Sequence, residues 1–205
     1  MKSQILFSKK DIKPRIILVT SAFPGEGKTF VATNLAVCIA QGVNEFALLM
    51  DCDFHHPSSH KMLGYANKEG IQDYLLGKRQ LSELIINTVE KKLSLLTSGR
   101  PSPNPSELLS SSMMKDLFDE VKGRYSDRYI VVDTAPSHVM SEVNVLANYV
   151  DGVIFVVMGN KSPRKVIKEC IDKIGREKVL GIVFNGYNKP VETYINYYKN
   201  YYKKK

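Results

Sequence analysis

Short apolar runs alternate with amphipathic stretches along most of this chain. The runs at residues 16–20, 46–50, 93–97, 129–132 and 153–157 are dominated by aliphatic and aromatic side chains, without the strict polar alternation of a sheet that has one wet face. Each therefore reads as a strand of a parallel sheet buried on both sides, and residues 179–184 supply a sixth. Between them the period is helical. Residues 29–41 place Val31, Leu35, Cys38 and Ile39 on one side and stop at Gly42. Residues 106–122 begin at a capping Ser106 and run through Leu108, Leu109, Met113, Leu117 and Phe118. Residues 162–174 carry Pro163 in the first turn, where a missing N–H costs nothing. This alternation predicts an α/β fold, a mostly parallel sheet flanked by helices on both faces in three layers. Residues 98–106, with Pro101, Pro103 and Pro105, read as a rigid loop. Beyond about residue 187 the apolar pattern is lost, so the expected organisation is one domain over 1–187 and a flexible tail over 188–205.

Bulk composition changes this picture little. The length of 205 residues suits one domain with a substantial core. The formal net charge is +8, but from residue 188 onward there are five lysines against one glutamate, so +4 of it sits in the last eighteen residues. The folded body is only mildly basic, and no nucleic-acid partner is expected. Cys38, Cys52 and Cys170 are far apart and form no C-x-x-C pair, which argues against a disulfide framework or a zinc site and fits a reducing cytoplasm. No apolar run approaches the roughly 20 residues that span a bilayer, so membrane association is expected to come through a surface or a partner.

The first strand breaks into Pro24-Gly25-Glu26-Gly27-Lys28-Thr29 and then into a helical pattern. Glycines at 25 and 27 let the backbone curl so that successive N–H groups face phosphate oxygens, and the following helix adds its positive dipole end. Lys28 would reach the β- and γ-phosphates, and the Thr29 hydroxyl would ligate Mg²⁺. The match to G-x-x-x-x-G-K-[ST] is incomplete, since Ala22 holds the first glycine position. Candidate ATP contacts run from Pro24 through Gly25, Glu26, Gly27, Lys28 and Thr29 to Phe30.

Two apolar strands end in aspartate, at Asp51-Cys52-Asp53 and at Asp133-Thr134-Ala135-Pro136. Ligands of a parallel sheet bind at the C-terminal strand edge, so these carboxylates are expected to converge on the phosphate loop. Asp133 and Asp51, with Thr29, are candidate Mg²⁺ ligands, because that ion takes oxygen donors and keeps several waters. One carboxylate of the Asp51/Asp53 pair is then left as a base, and Lys28, Asp51 and Asp53 form the candidate catalytic set. His56 and His60 would share one face of a helix, a spacing that invites a metal reading, but no cysteine or further carboxylate completes it. Cys52, between two aspartates, is expected to be an inert thiol.

The last twelve residues hold five of the eleven tyrosines, Tyr194, Tyr197, Tyr198, Tyr201 and Tyr202. Their spacing would put all five on one helical face, so a packed aromatic stripe, a basic aromatic membrane contact and a tail of phosphorylatable phenols all compete. A phosphate loop in the same chain favours the last. A phenol is protonated at neutral pH and needs a nearby base such as Asp53 or Asp51.

At this point the chain resembles the catalytic domain of the bacterial tyrosine autokinases that regulate capsular and exopolysaccharide polymerisation and export, a P-loop NTPase-like fold. TSAFPGEGKT at 20–29 is similar to that family's Walker A, LLMDCDFHHP at 48–57 to its Walker A′, and YIVVDTAP at 129–136 to its Walker B. The stretch 97–111 and the terminal tyrosine cluster are similar too. The resemblance implies Mg²⁺- and ATP-dependent phosphorylation of tail tyrosines on a neighbouring subunit, within a ring-like homo-oligomer that phosphorylation loosens. It implies activation by a membrane adaptor of the polysaccharide co-polymerase type, and a cytoplasmic location peripheral to the inner face of the cell membrane. On the same analogy Lys28 stabilises the transferred phosphoryl group, Thr29 and Asp133 serve Mg²⁺, Asp51 orients metal or nucleophile, Asp53 is the base, and Asn185 reads adenine. Two departures stand out. His55-His56 replace the arginines usual in that family, so a site needing fixed positive charge there would be weaker or pH-sensitive, and no Glu/Arg-rich helix of the kind that joins its subunits is seen at the start.

The alternative from another class is a nucleotide-switched positioning ATPase. Those relatives carry a second lysine early in the loop, where this chain has Phe23, and an aromatic ring cannot neutralise a partner's phosphate. A non-catalytic ATP-binding adaptor would bind nucleotide and form no phosphotyrosine.

Overall fold

The apolar runs become the strands of one sheet. The computed structural model describes residues 14–101, 104–125, 127–159 and 161–186. Its strands are β1 (Ile16–Ser21), β2 (Phe46–Asp51), β3 (Ile86–Asn87), β4 (Leu93–Leu96), β5 (Arg128–Asp133), β6 (Gly152–Met158) and β7 (Val179–Asn185), in the order β3-β4-β2-β5-β1-β6-β7. All neighbours pair in parallel except β3 with β4. The six predicted strands are all present. The antiparallel edge β3 was not expected, because two residues are too short for a periodic signal.

The helices are α1 (Lys28–Ala40), α2 (Ser59–Leu63), α3 (Ile71–Leu75), α4 (Leu81–Leu84), α5 (Pro105–Leu109), α6 (Ser112–Arg124), α7 (Glu142–Leu146) and α8 (Arg164–Ile174). Strand pleating sends Ile17, Val19, Ala47, Leu49, Val131 and Ile154 to one face, where they meet α1 through Val31, Leu35 and Ile39. Ile16, Leu18, Leu48, Met50, Val132 and Phe155 face the other way, against Met114, Leu117, Phe118 and Val121 of α6, Val143 and Leu146 of α7, and Cys170 and Ile174 of α8. The result is the expected three-layer α/β arrangement.

Local detail corrects three expectations. The helix read over 106–122 is two, α5 and α6: Asn104 rather than Ser106 precedes the first, with Pro105 opening it, and Ser111 starts the second. Pro163 is the residue before α8 rather than part of its first turn. Cys38, placed on the apolar side of α1 by periodicity, is exposed, because the sheet accepts a stripe narrower than the apolar set. The tail over 188–205 lies outside the described residues.

Candidate functional site

The C-terminal edge of the sheet gathers the ends of β1, β2 and β5. After Ser21 the chain turns through Ala22-Phe23-Pro24-Gly25-Glu26-Gly27 into α1, with φ of 78° at Gly25 and 91° at Gly27. Both values lie in the left-handed region that side chains with a Cβ avoid, so the curl rests on glycine. Gly27 is constrained twice, since a Cβ there would run into the side-chain amide of Asn185. The loop is stitched to the next segment: Ser137 N–H donates to Ser21 O at 2.7 Å, and the Thr20 hydroxyl donates to Ala135 O at 2.8 Å.

Parallel pairing of β2 with β5 puts Asp51 and Asp133 opposite one another, both fully buried. Asp51 Oδ2 accepts the backbone N–H groups of Ser58 and Ser59 at 3.0 and 2.9 Å, and its Oδ1 accepts that of Asp53 at 3.2 Å. Burial outweighs these donors and lifts the Asp51 carboxyl to about 6. Asp133 Oδ2 accepts the Ser59 hydroxyl at 3.1 Å, and the Thr29 hydroxyl stands close enough to favour the ionised carboxylate. Burial, then repulsion from Asp51, pushes Asp133 up to about 7. Its Oδ1 is buried with no partner. A buried carboxylate pair with one open oxygen beside the Thr29 hydroxyl is an all-oxygen donor set of the kind a Mg²⁺ ion takes.

Lys28 Nζ lies 2.8 Å from Asp53 Oδ2. Burial works to lower this ammonium's pKa, but Asp133, Asp53 and Asp51 outweigh it and hold the value above ordinary. Asp53 Oδ1 accepts the His56 N–H at 2.9 Å. Lys28, Thr29, Asp53, His55, His60 and Pro136 line a cavity of about 890 Å³. The Cys52 thiol is pushed well up, by burial first and then by the three carboxylates, so it is a poor nucleophile as expected. His56 precedes α2, so it does not share a helix face with His60, and among the described residues no group of three or more candidate ligands could hold a metal ion by itself.

The structure thus brings Gly25, Gly27, Lys28, Thr29, Asp51, Asp53 and Asp133 to one edge. Pro24 lines the same cavity, while Phe30 stands 55 % exposed on the outer side of α1. The Glu26 side chain is buried and turns away, into the protein. Asn185 ends β7 above Gly27, with Nδ2 donating to Glu26 O at 2.9 Å. The five tail tyrosines lie outside the described residues. Sequence reading missed Ser58 and Ser59, which hold both buried aspartates; the only signal was a serine pair after Pro57 at the start of a short helix.

A family model described as an AAA domain matches residues 14–176. Tyrosine-protein kinase YwqD of Bacillus subtilis is 32 % identical over 200 residues, covering 97 % of this chain and 83 % of the relative. The chain belongs to the bacterial tyrosine-protein kinase family. The putative tyrosine-protein kinase CapB of Staphylococcus aureus is also 32 % identical, over 98 % of this chain and 87 % of its own length. Among solved structures, the chimerical protein CapA2B2 superposes with a TM-score of 0.83 at 31 % identity, covering 92 % of this chain and 82 % of that one. A plasmid partition protein from Borrelia burgdorferi shares the fold at a TM-score of 0.66 and 22 % identity, over 87 % of this chain and 81 % of that one. Membership of this family implies that the chain binds nucleotide. No helix among the described residues is long and apolar enough to cross a membrane.

Proposed function

We propose that this chain is an ATP-dependent protein-tyrosine kinase that phosphorylates Tyr194, Tyr197, Tyr198, Tyr201 and Tyr202 of a neighbouring copy and so regulates capsule or exopolysaccharide polymerisation and export. The observation that carries the reading is the open Oδ1 of Asp133, buried beside Asp51 and the Thr29 hydroxyl next to a cavity that also presents Lys28 and Asp53. Phosphoryl transfer asks mainly for positioning and charge neutralisation, and these groups offer both.

Gly25 and Gly27 let the loop's N–H groups face the phosphates of ATP. Thr29, Asp51 and Asp133 would hold Mg²⁺, which when bound supplies positive charge to the phosphate oxygens. Lys28 leaves Asp53 for the phosphates as nucleotide enters, which frees Asp53 Oδ2. The phenol oxygen of the acceptor then bonds to the γ-phosphorus, the bond between that phosphorus and the β–γ bridging oxygen breaks, ADP leaves, and Asp53 takes the phenolic proton. A membrane adaptor of the polysaccharide co-polymerase type activates the enzyme and brings a ring-like oligomer to the inner face of the membrane. The relatives and structural neighbours, tyrosine-protein kinases and a CapA2B2 chimera, support this reading.

The test is incubation of the purified chain with Mg-ATP, with and without the cytoplasmic end of a candidate adaptor, followed by intact mass and peptide mapping. Phosphate confined to the five tail tyrosines, and absent from Lys28→Met, supports the kinase. Release of inorganic phosphate with an unmodified tail overturns it in favour of an ATPase.

A further inference from the structure

The Glu26 side chain is 1 % exposed, inside a loop whose neighbours Pro24 and Gly25 are open to solvent. A buried carboxylate is costly unless several donors meet it, and three do. Glu26 Oε2 accepts the N–H of Phe23 at 2.6 Å, and Oε1 accepts the N–H of Met158 at 3.1 Å and the Ser162 hydroxyl. Phe23 opens the phosphate loop, Met158 ends β6, and Ser162 lies in the connection to α8. One side chain therefore fastens the start of the loop to the neighbouring strand end.

The same residue is fastened through its backbone. Glu26 O accepts Asn185 Nδ2 at 2.9 Å, and Asn185 Oδ1 in turn accepts the Gly186 N–H at 2.9 Å. That amide occupies the space a Cβ at Gly27 would need. A segment containing two left-handed glycines has little rigidity of its own. Contacts to the ends of β6 and β7 hold it from two directions.

We infer that Glu26 is a positioning residue: with Asn185 it clamps the nucleotide loop to the ends of β6 and β7, and it acts on nucleotide through the backbone without touching it. The inference rests on the reading of residues 24–29 as the phosphate cradle. Glutamine is the informative replacement, because its amide offers one acceptor oxygen and a donor that faces donors, so at least one of the three contacts is lost at nearly constant volume.

The test measures the Kd of a fluorescent ATP analogue, KM and kcat for tail phosphorylation, and Tm, for wild type, Glu26→Gln, Ser162→Ala and Asn185→Ala. Glu26→Gln should raise Kd and the KM for ATP about tenfold, with Ser162→Ala and Asn185→Ala raising them about threefold, each more than the change in Tm accounts for. The Glu26→Gln/Asn185→Ala double variant should lose less than the product of the singles, because both act on one loop. Unchanged ATP affinity in Glu26→Gln overturns the inference. If Glu26→Gln does not fold, unchanged affinity in both Ser162→Ala and Asn185→Ala overturns it instead. A wild type that binds no ATP would overturn the phosphate-cradle reading itself, a result distinct from either.

Discussion

Replacing Asp133 with asparagine should stabilise the metal-free protein at about pH 8 and leave it unchanged only below about pH 4. Asp133 and Asp51 face each other across β5 and β2, fully buried. Burial, then repulsion from Asp51, lifts the Asp133 carboxyl from 3.8 to about 7. A carboxyl raised in the folded state contributes stability that is complete below the unfolded value near 4 and is lost as pH climbs through the folded value. At ~1.4 kcal/mol per unit, the Asp133 shift corresponds to roughly 4 kcal/mol. Asp51, lifted to about 6, adds less than its own shift suggests, because one proton on the pair relieves both. His60 runs the other way: burial, then Lys61, lowers its imidazole, so its contribution is lost as pH falls below its unfolded value, 6.5, but it is common to both proteins and cancels. The assay is urea unfolding in a chelator across this pH range. Asp133→Asn should gain about 2–4 kcal/mol on wild type toward the alkaline end. Added Mg²⁺ should then stabilise wild type and not the variant. Stability curves that stay parallel across pH would refute the buried-pair argument.

The two loop glycines should differ. Gly25→Ala meets open space and carries only the left-handed strain of about 1–2 kcal/mol, whereas Gly27→Ala also displaces the Asn185 amide and should weaken ATP binding further, as titration of the two variants would show. Ser59→Ala removes a hydroxyl that lowers the Asp133 pKa, so the pH at which Mg²⁺ binding is half lost should move upward in a calorimetric series. Asp151 Oδ2 accepts the N–H groups of Arg15 and Ile16 at 2.8 and 2.9 Å, at the sheet edge opposite the site; Asp151→Ala should cost about 1 kcal/mol in denaturant without altering ATP affinity. Leu117→Ala, at a fully buried position of α6, should cost about 2–5 kcal/mol by the same measurement.

Much of this is legible in the pattern of the chain. Buried parallel strands announce themselves as unbroken apolar runs, so β1, β2, β4, β5, β6 and β7 were each placed within one or two residues. Helix ends were less secure, since α5 and α6 form one continuous apolar pattern that a turn interrupts at Ser110 and Ser111. The short helices α2, α3, α4 and α7 have no period long enough to read, and their boundaries come from what they pack against.

The amino-acid order alone sets the chemistry available here: a glycine-rich turn into a lysine and a threonine, and aspartates at two strand ends. Local covalent pattern suffices for that, because strand, turn and helix N-terminus are short-range decisions. What each group does with its neighbours comes from the assembled fold. It set Asp51 against Asp133 through strand register, gave Lys28 to Asp53, and turned the Glu26 carboxylate inward to Met158 and Ser162. Those partners are far away along the chain, and pKa, burial and hydrogen-bond satisfaction depend on distance in space, which a sheet of crossed-over strands sets and a linear pattern does not.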